Sequence, residues 1–187
     1  MVFTNYDYFV LVEGKNSQKD IGSEKRKIER VNRLCHGLAA NSNMLALYDA
    51  CHFIAWRNSS SQKIELDIYR NQARTTAVLG TECELLAPNL NSGSPFKLKI
   101  FSEGFFQSPP PKYAIQRSDF EEYVQWLVKT VTAGGSSEVE LVGRKYDEGG
   151  DVMSVTLRSL KDVYQLLDEH RSDPRGSYKT RTKGPKI

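Results

Sequence analysis

Two stretches of the chain have the pattern of a β-hairpin, and they limit the possible fold more than any other feature. Residues 52–57 and 63–69 are rich in strand formers and flank a polar turn at 58–62. Residues 138–159 repeat the pattern around a turn at 148–151. Hairpins that cluster, instead of strands that alternate strictly with helices, favour an α+β fold with a mainly antiparallel sheet.

The remaining segments add strands and about four helices. We predict further strands at 6–13, 74–80 and 96–104, and turn-rich loops between them. We predict that Ser23 caps the first helix, that 44–51 form the second, that Ser118 caps the third, and that the last begins at Ser159. The first and third helices have apolar faces at helical spacing: Ile28, Val31, Leu34, Cys35 and Leu38, then Phe120, Val124, Leu127, Val128 and Val131.

The second strand of the first hairpin alternates in polarity. Ile64, Leu66 and Ile68 alternate with Glu65, Asp67 and Tyr69. Side chains of successive strand residues point to opposite faces, so this alternation predicts a buried face and a solvent face.

Length and composition predict one intracellular domain. A chain of 187 residues is long enough for a single domain, which we place at 1–170, followed by a flexible basic tail at 171–187. The start of the chain lacks the pattern of a signal peptide, and no apolar run is long enough for a membrane span. Three cysteines at irregular spacing favour a reducing, cytoplasmic location.

Positive charge is concentrated in two places. The tail has six Lys or Arg residues and one Asp: its cations are Arg171, Arg175, Lys179, Arg181, Lys183 and Lys186. In the first helix, Arg26, Arg30 and Arg33 follow a helical spacing on the face opposite Ile28. With nearby Lys15 and Lys19, they form a candidate surface for the phosphates of a polyanion. The alternative is a solvated helix face in which Glu29 and Arg33 pair.

The segment Val12-Glu13-Gly14-Lys15 ends the first predicted strand. A strand that ends in Glu-x-Lys resembles the second half of the restriction-endonuclease-like active site, which implies a metal-binding carboxylate and a lysine that assists phosphodiester hydrolysis. That site also needs an Asp from a neighbouring strand. The only earlier Asp is Asp7, on the same strand and about 20 Å from Glu13, so the two cannot share an ion.

The same segment resembles the opening strand of the Toprim fold, in which the glutamate is a general acid and base. Toprim proteins need a later Asp-x-Asp for magnesium, and this chain has none. Glu65 and Asp67 are the nearest substitute. Glu13, Lys15 and Asp67 are therefore the candidate catalytic residues, with a solvated strand end as the alternative.

We expect neither a metal nor a cofactor. The pairs Cys35-His36 and Cys51-His52 lack zinc-ligand spacing, and Cys35 lies on the apolar helix face, where a free thiol acts as a small hydrophobe. There is no glycine-rich phosphate loop. Phe105, Phe106 and Tyr113 surround a proline segment and form either a protein-recognition edge or part of the packing between sheet and helix.

Three functions remain open on this evidence. The leading hypothesis is a non-enzymatic binding or regulatory module that holds RNA, DNA or another polyanion through the arginines and the tail. The first alternative is a protein–protein adaptor or inhibitor, including the viral or phage accessory type, that uses the loop at 87–95 together with Phe105, Phe106 and Tyr113. The second alternative is a metal-dependent nuclease that uses Glu13 and Lys15.

Overall fold

The structure is a computed structural model. It describes residues 2–5, 8–73, 95–108, 110–132, 141–146 and 152–157, together with positions 162, 165 and 168. The strands are β1 (Val2–Asn5), β2 (Tyr8–Lys15), β3 (His52–Arg57), β4 (Ile64–Ile68), β5 (Phe96–Lys97), β6 (Ile115–Gln116), β7 (Leu141–Tyr146) and β8 (Val152–Leu157). The α-helices are α1 (Ile28–Ala39), α2 (Ser42–Cys51), α3 (Tyr69–Ala73), α4 (Leu98–Phe106) and α5 (Arg117–Thr132), and a 3₁₀ segment (Gln18–Lys27) precedes α1.

The strands form one sheet in the order β5-β4-β3-β2-β1-β7-β8, and β6 also pairs with β2. The two predicted hairpins are present as the antiparallel pairs β3–β4 and β7–β8. β2 and β3 run parallel, because the connection between them crosses over through α1 and α2. The α+β class with a mainly antiparallel sheet is confirmed.

The central strand β2 is buried on both faces. Phe9, on one face, stacks on Phe120 of α5 with ring centroids 5.4 Å apart. Phe53, whose side chain lies on the opposite face, packs on Phe101 of α4 at 5.6 Å. Helices on both faces explain why residues 9–12 form a continuous apolar run without alternation.

The apolar faces predicted for α1 and α5 are confirmed. In α1, four of the five predicted residues are buried, and Ile28 packs against them from a partly exposed position. In α5, Phe120 and Val124 are buried, while Leu127, Val128 and Val131 are only partly buried. The two helices approach closely at Gly37, where a Cβ atom would lie 2.9 Å from Cγ2 of Thr130.

The strand predicted at 96–104 is wrong beyond its first two residues. Leu98–Phe106 is the helix α4, which buries Phe101 and Phe105 one turn apart. These rings join an aromatic cluster with Phe53, Phe96 and Tyr113. The helix leaves Leu98 and Ile100 exposed.

Both predicted helix caps are wrong in position. The first α-helix begins at Ile28, and the hydroxyl of Ser23 instead accepts a hydrogen bond from Nζ of Lys15 at 3.2 Å. α5 begins at Arg117, one residue before the predicted cap. The Glu121 carboxylate accepts a hydrogen bond from Nε of Arg117 at 2.7 Å.

The predicted solvent face of β4 is also wrong. Asp67 and Tyr69 are 3% and 5% exposed. The Asp67 carboxylate accepts from the side-chain amides of Asn71 at 3.0 Å and Gln72 at 2.7 Å, so it fastens α3 to the end of β4. A buried carboxylate with these donors is satisfied without water.

Other predictions fall on residues that the structure does not describe. The strand at 74–80, the start of the last helix at Ser159 and the tail at 171–187 lie outside the described residues, although positions 162, 165 and 168 are helical. Within the described part of the chain, no helix has the length and apolar character needed to cross a bilayer.

Candidate functional site

The end of β2 places Glu13 and Lys15 side by side. The two residues lie on one face of the strand because side-chain direction repeats every second residue. Nζ of Lys15 is 2.8 Å from Oε1 of Glu13, and the Lys15 side chain is only 10% exposed. The predicted pair is therefore in direct contact, close to the protein surface.

The 3₁₀ segment adds a second carboxylate and a second ammonium to this pair. Glu24 is fully buried and accepts hydrogen bonds from Lys15, from Nζ of Lys27 at 3.2 Å, and from the hydroxyl of Tyr69. Lys27 also donates to Oε1 of Glu13 at 2.9 Å. We call Glu13, Lys15, Glu24, Lys27 and Tyr69 the ionic cluster.

The pKa values of Glu13 and Lys15 are both shifted in the direction that favours the charged form. Burial by itself raises the pKa of Glu13, but hydrogen bonds from Lys15 and Lys27 outweigh it, and the pKa lies below the ordinary value. Burial lowers the pKa of Lys15, but Glu13 and Glu24 raise it above its ordinary value. Two carboxylates and two ammonium groups cancel in formal charge, so the cluster contributes little net field.

Sequence reasoning found Glu13 and Lys15 but missed Glu24, Lys27 and Tyr69. In the sequence, Glu24 and Lys27 are ordinary members of a run of mixed charges at residues 24–30. Tyr69 was expected on the solvent face. The one available signal was the i, i+3 spacing of Glu24 and Lys27, which places two residues on one side of a helical turn.

Asp67, the third catalytic candidate, does not join the ionic cluster. The strand register aligns Glu13 with Ile54 and Ile54 with Asp67, so two strand spacings, about 10 Å, separate the two acids. Its carboxylate bonds the amides of α3 instead.

The described residues contain no group of three or more His, Cys, Asp or Glu side chains arranged to hold a metal ion. Cys35 is buried and disulfide-bonded, which corrects its interpretation as a free thiol. Cys51 is a free, buried thiol whose pKa is raised well above the ordinary value by burial. A thiol in that state is a poor nucleophile.

His52 lies at the centre of a buried aromatic group. Its Nδ1 atom is 2.6 Å from the hydroxyl of Tyr123, and its ring packs 4.9 Å from the Tyr48 ring and 4.8 Å from the Tyr69 ring. Burial lowers its pKa from 6.5 to about 3, so the imidazole is neutral at physiological pH.

A cavity with a volume of about 310 Å³ opens beside the ionic cluster, between the end of β2, α1 and α5. Its charged lining consists of Glu13, Lys27 and Arg30. The rest of the lining is mostly aliphatic and comes from all three elements, with His52 and Tyr69 as its aromatic members. The volume is at the lower end of the range usual for small-molecule sites.

The three predicted arginines differ from the lysines beside them. Arg26 and Arg30 are exposed and Arg33 is half-buried. No carboxylate of the described residues forms a salt bridge with any of the three, whereas Lys15 and Lys27 each contact two. Lys19 is exposed, and the six tail cations lie outside the described residues.

The predicted protein-recognition residues are mostly part of the core. Phe105 is fully buried, and Tyr113 is stacked on Phe96 at 5.0 Å and on Phe101 at 5.7 Å. Only Phe106, 57% exposed, presents its ring to solvent.

Comparison with known proteins gives no assignment: no protein-family model, curated protein or solved structure matches the chain.

Proposed function

We propose that this protein is a non-enzymatic module that binds nucleic acid or another polyanion through Arg26, Arg30 and Arg33. One observation carries the proposal. The lysines next to these arginines are neutralised internally by Glu13 and Glu24, whereas the arginines have no acid partner among the described residues.

The three arginines therefore keep their positive charge next to an ionic cluster that has no net formal charge. The ionic cluster cancels its own formal charge, so it does not offset the positive charge of the arginines. Seven residues of helix extend about 10 Å, which corresponds to about three phosphates of one nucleic-acid strand. Guanidinium groups suit phosphate because they donate two parallel hydrogen bonds.

The lysines predicted for this surface contribute unequally. Lys15 is held by two carboxylates and is left out of the proposed surface, while exposed Lys19 is kept. We infer that the tail cations add counterion release, since they would increase the number of phosphates neutralised.

Salt-dependent binding tests the proposal. Affinity of the full-length chain for a labelled single strand and a labelled duplex is measured over a salt series, for the original chain and for the variant Arg26→Gln/Arg30→Gln/Arg33→Gln. We expect the variant to bind more weakly and its salt slope to fall by about two to three, since each lost phosphate contact removes about 0.7 to 0.9.

A matched control removes the same charge elsewhere. Lys63→Gln/Lys97→Gln/Lys112→Gln neutralises three exposed lysines outside α1 and should keep most of the affinity. A further variant combines the three arginine substitutions with removal of residues 171–187; Arg26 lies in the 3₁₀ segment, and Arg30 and Arg33 lie in α1. Unchanged affinity in that variant would overturn the proposal.

A second candidate function is metal-dependent phosphodiester cleavage at Glu13 and Lys15. The observation that favours it is the 2.8 Å contact of the pair at the strand end, with Glu24 adding a second carboxylate. Incubation with single- and double-stranded substrates and Mg²⁺ or Mn²⁺ tests it. Lack of cleavage, or cleavage that survives Glu13→Ala, rejects it. The adaptor alternative retains only Phe106 of its three aromatic residues as an exposed contact, because Phe105 is buried and Tyr113 is stacked on Phe96.

A cytoplasmic location stays a prediction. Cell fractionation combined with thiol labelling of the native protein tests the location and the redox state together.

A further inference from the structure

The cavity beside the ionic cluster has an interior that the proposed polyanion surface does not use. We propose that it binds a small anion with one apolar chain, with the acidic head group on Arg30 and the chain between α1 and α5. A medium-chain carboxylate and an alkyl phosphate share this chemistry.

The apolar residues that line the cavity indicate that its ligand has an apolar chain. Along α5, the apolar face is sealed at Phe120 and Val124 but stays partly exposed at Leu127, Val128 and Val131, which line the cavity. Val31 and Leu34 of α1 face them across the space. Binding of a hydrocarbon chain in the cavity is favourable in free energy, because it removes this apolar surface from water.

The polar groups inside the cavity are already engaged. The hydroxyl of Tyr69 donates to Glu24, and Nδ1 of His52 contacts the hydroxyl of Tyr123. A sugar or a nucleobase needs several hydrogen-bonding partners, and an alkyl chain needs none. The interior therefore suits a chain better than a polar ring.

The charged lining indicates an anionic head group. Glu13 and Lys27 form a salt bridge of 2.9 Å and cancel each other. Arg30 lines the same cavity and has no salt-bridge partner among the described residues, so one positive charge stays uncompensated. A guanidinium can bind a carboxylate or a phosphate through two parallel hydrogen bonds.

The volume sets the length of the chain. A methylene group occupies about as much space as a water molecule, about 30 Å³. A cavity of about 310 Å³ therefore holds roughly ten such groups, which suggests a chain of about eight to ten carbons.

Titration of the full-length chain with four probes tests the proposal. Decanoate and decyl phosphate, kept below the concentrations at which they form micelles, combine a chain with an anionic head. Decanol lacks the charge and butyrate lacks the chain. We expect calorimetry to show binding of both anions, at least tenfold tighter than of decanol or butyrate. Equal affinity for decanol and decanoate would overturn the role of Arg30, and equal affinity for butyrate would overturn the role of the chain.

Three variants separate this site from the polyanion surface. Arg30→Gln should weaken decanoate at least tenfold, and Val128→Trp should abolish its binding by filling the cavity. Arg26→Gln should weaken the polyanion and leave decanoate unchanged, since Arg26 does not line the cavity. Decanoate binding that is unchanged in Arg30→Gln or in folded Val128→Trp rejects the proposal.

A second measurement applies if Val128→Trp does not fold. Nuclear Overhauser contacts between the decanoate chain and the methyl groups of Leu127, Val128 and Val131 are then recorded in the original chain. We expect such contacts, and their absence at saturating decanoate rejects the site. Because Arg26→Gln affects only the polyanion and Val128→Trp affects only decanoate, one proposal can fail while the other stands.

Discussion

Nζ of Lys27 lies 2.9 Å from Oε1 of Glu13, and this contact joins the 3₁₀ segment to the end of the central strand β2. Both residues also border the cavity. The start of α1, and with it Arg30, is therefore held against the sheet by charge as well as by apolar packing.

Glu24→Gln should destabilise the protein strongly. The buried carboxylate accepts from Lys15, Lys27 and Tyr69, and its replacement leaves Lys15 with one carboxylate in a poorly solvated place. Loss of one partner of a buried ion pair costs about 3 to 5 kcal/mol. Urea denaturation measures the loss. The exposed Glu29→Gln, the matched control, should change stability by less than about 0.5 kcal/mol.

Glu13 should contribute to acid unfolding below pH 4.5. Its pKa is 4.5 when unperturbed and lower in the folded protein, so its contribution to stability is complete above 4.5 and is lost as the pH falls through the lowered value. Urea midpoints of the original chain and of Glu13→Gln between pH 2.5 and 7 test this. The acid limb should be shallower in the variant, and parallel limbs would contradict it.

His52 should affect the pH dependence of folding stability over a different pH range from Glu13. Its pKa is about 3 in the folded protein and 6.5 when unperturbed, so the unfolded chain binds the proton first as the pH falls. Stability then falls between pH 6.5 and about 3, by at most about 1.4 kcal/mol per pH unit from this one group.

Replacement of His52 by Phe should flatten that part of the pH profile. His36→Gln, which removes an exposed imidazole, is measured alongside it as the matched substitution. An NMR titration of the His52 ring gives a direct check. A measured pKa near 6.5 in the folded protein would contradict the burial argument.

Gly37→Ala should loosen the contact between α1 and α5. Its Cβ atom would lie 2.9 Å from Cγ2 of Thr130 and 3.0 Å from Cζ2 of Trp126. Overpacking of this kind costs about 1 to 3 kcal/mol, against a gain of up to about 1 kcal/mol from helix propensity. Thermal unfolding should show a lower midpoint. Gly22→Ala, where nothing lies within 4 Å, is the matched control.

A second substitution identifies the cause of the loss at Gly37. Thr130→Ser removes Cγ2, so Gly37→Ala should cost less in the Thr130→Ser background than in the original chain. An equal cost in both backgrounds would show that crowding at Thr130 is not responsible.

The parts of the fold that the sequence predicted are those with local signals. The apolar face of α1 and the hairpins β3–β4 and β7–β8 each depend on spacing within about 20 residues, and all three are confirmed. Residues 96–100 alternate between apolar side chains and lysine, which favours a strand, whereas Phe101 and Phe105 have a helical spacing. Contacts with Phe53 and Tyr113, distant in sequence, favour the helix.

In the candidate site, too, local sequence patterns predict some contacts, and the other contacts depend on tertiary structure. Glu13 and Lys15 are two residues apart on a strand, so their contact follows from strand geometry. Glu24 meets Tyr69 across 45 positions of the chain. No local sequence pattern predicts that contact, because it depends on how α3 and the 3₁₀ segment pack against the sheet.

The deep position of Glu24 has a consequence for purification and assay. Dissolved ions weaken attraction between groups at the surface far more than between groups enclosed in protein, and Glu24 has no exposed surface. Concentrated salt should therefore release a polyanion from the proposed arginine surface. The ionic cluster and the melting temperature of the protein should change little under the same conditions.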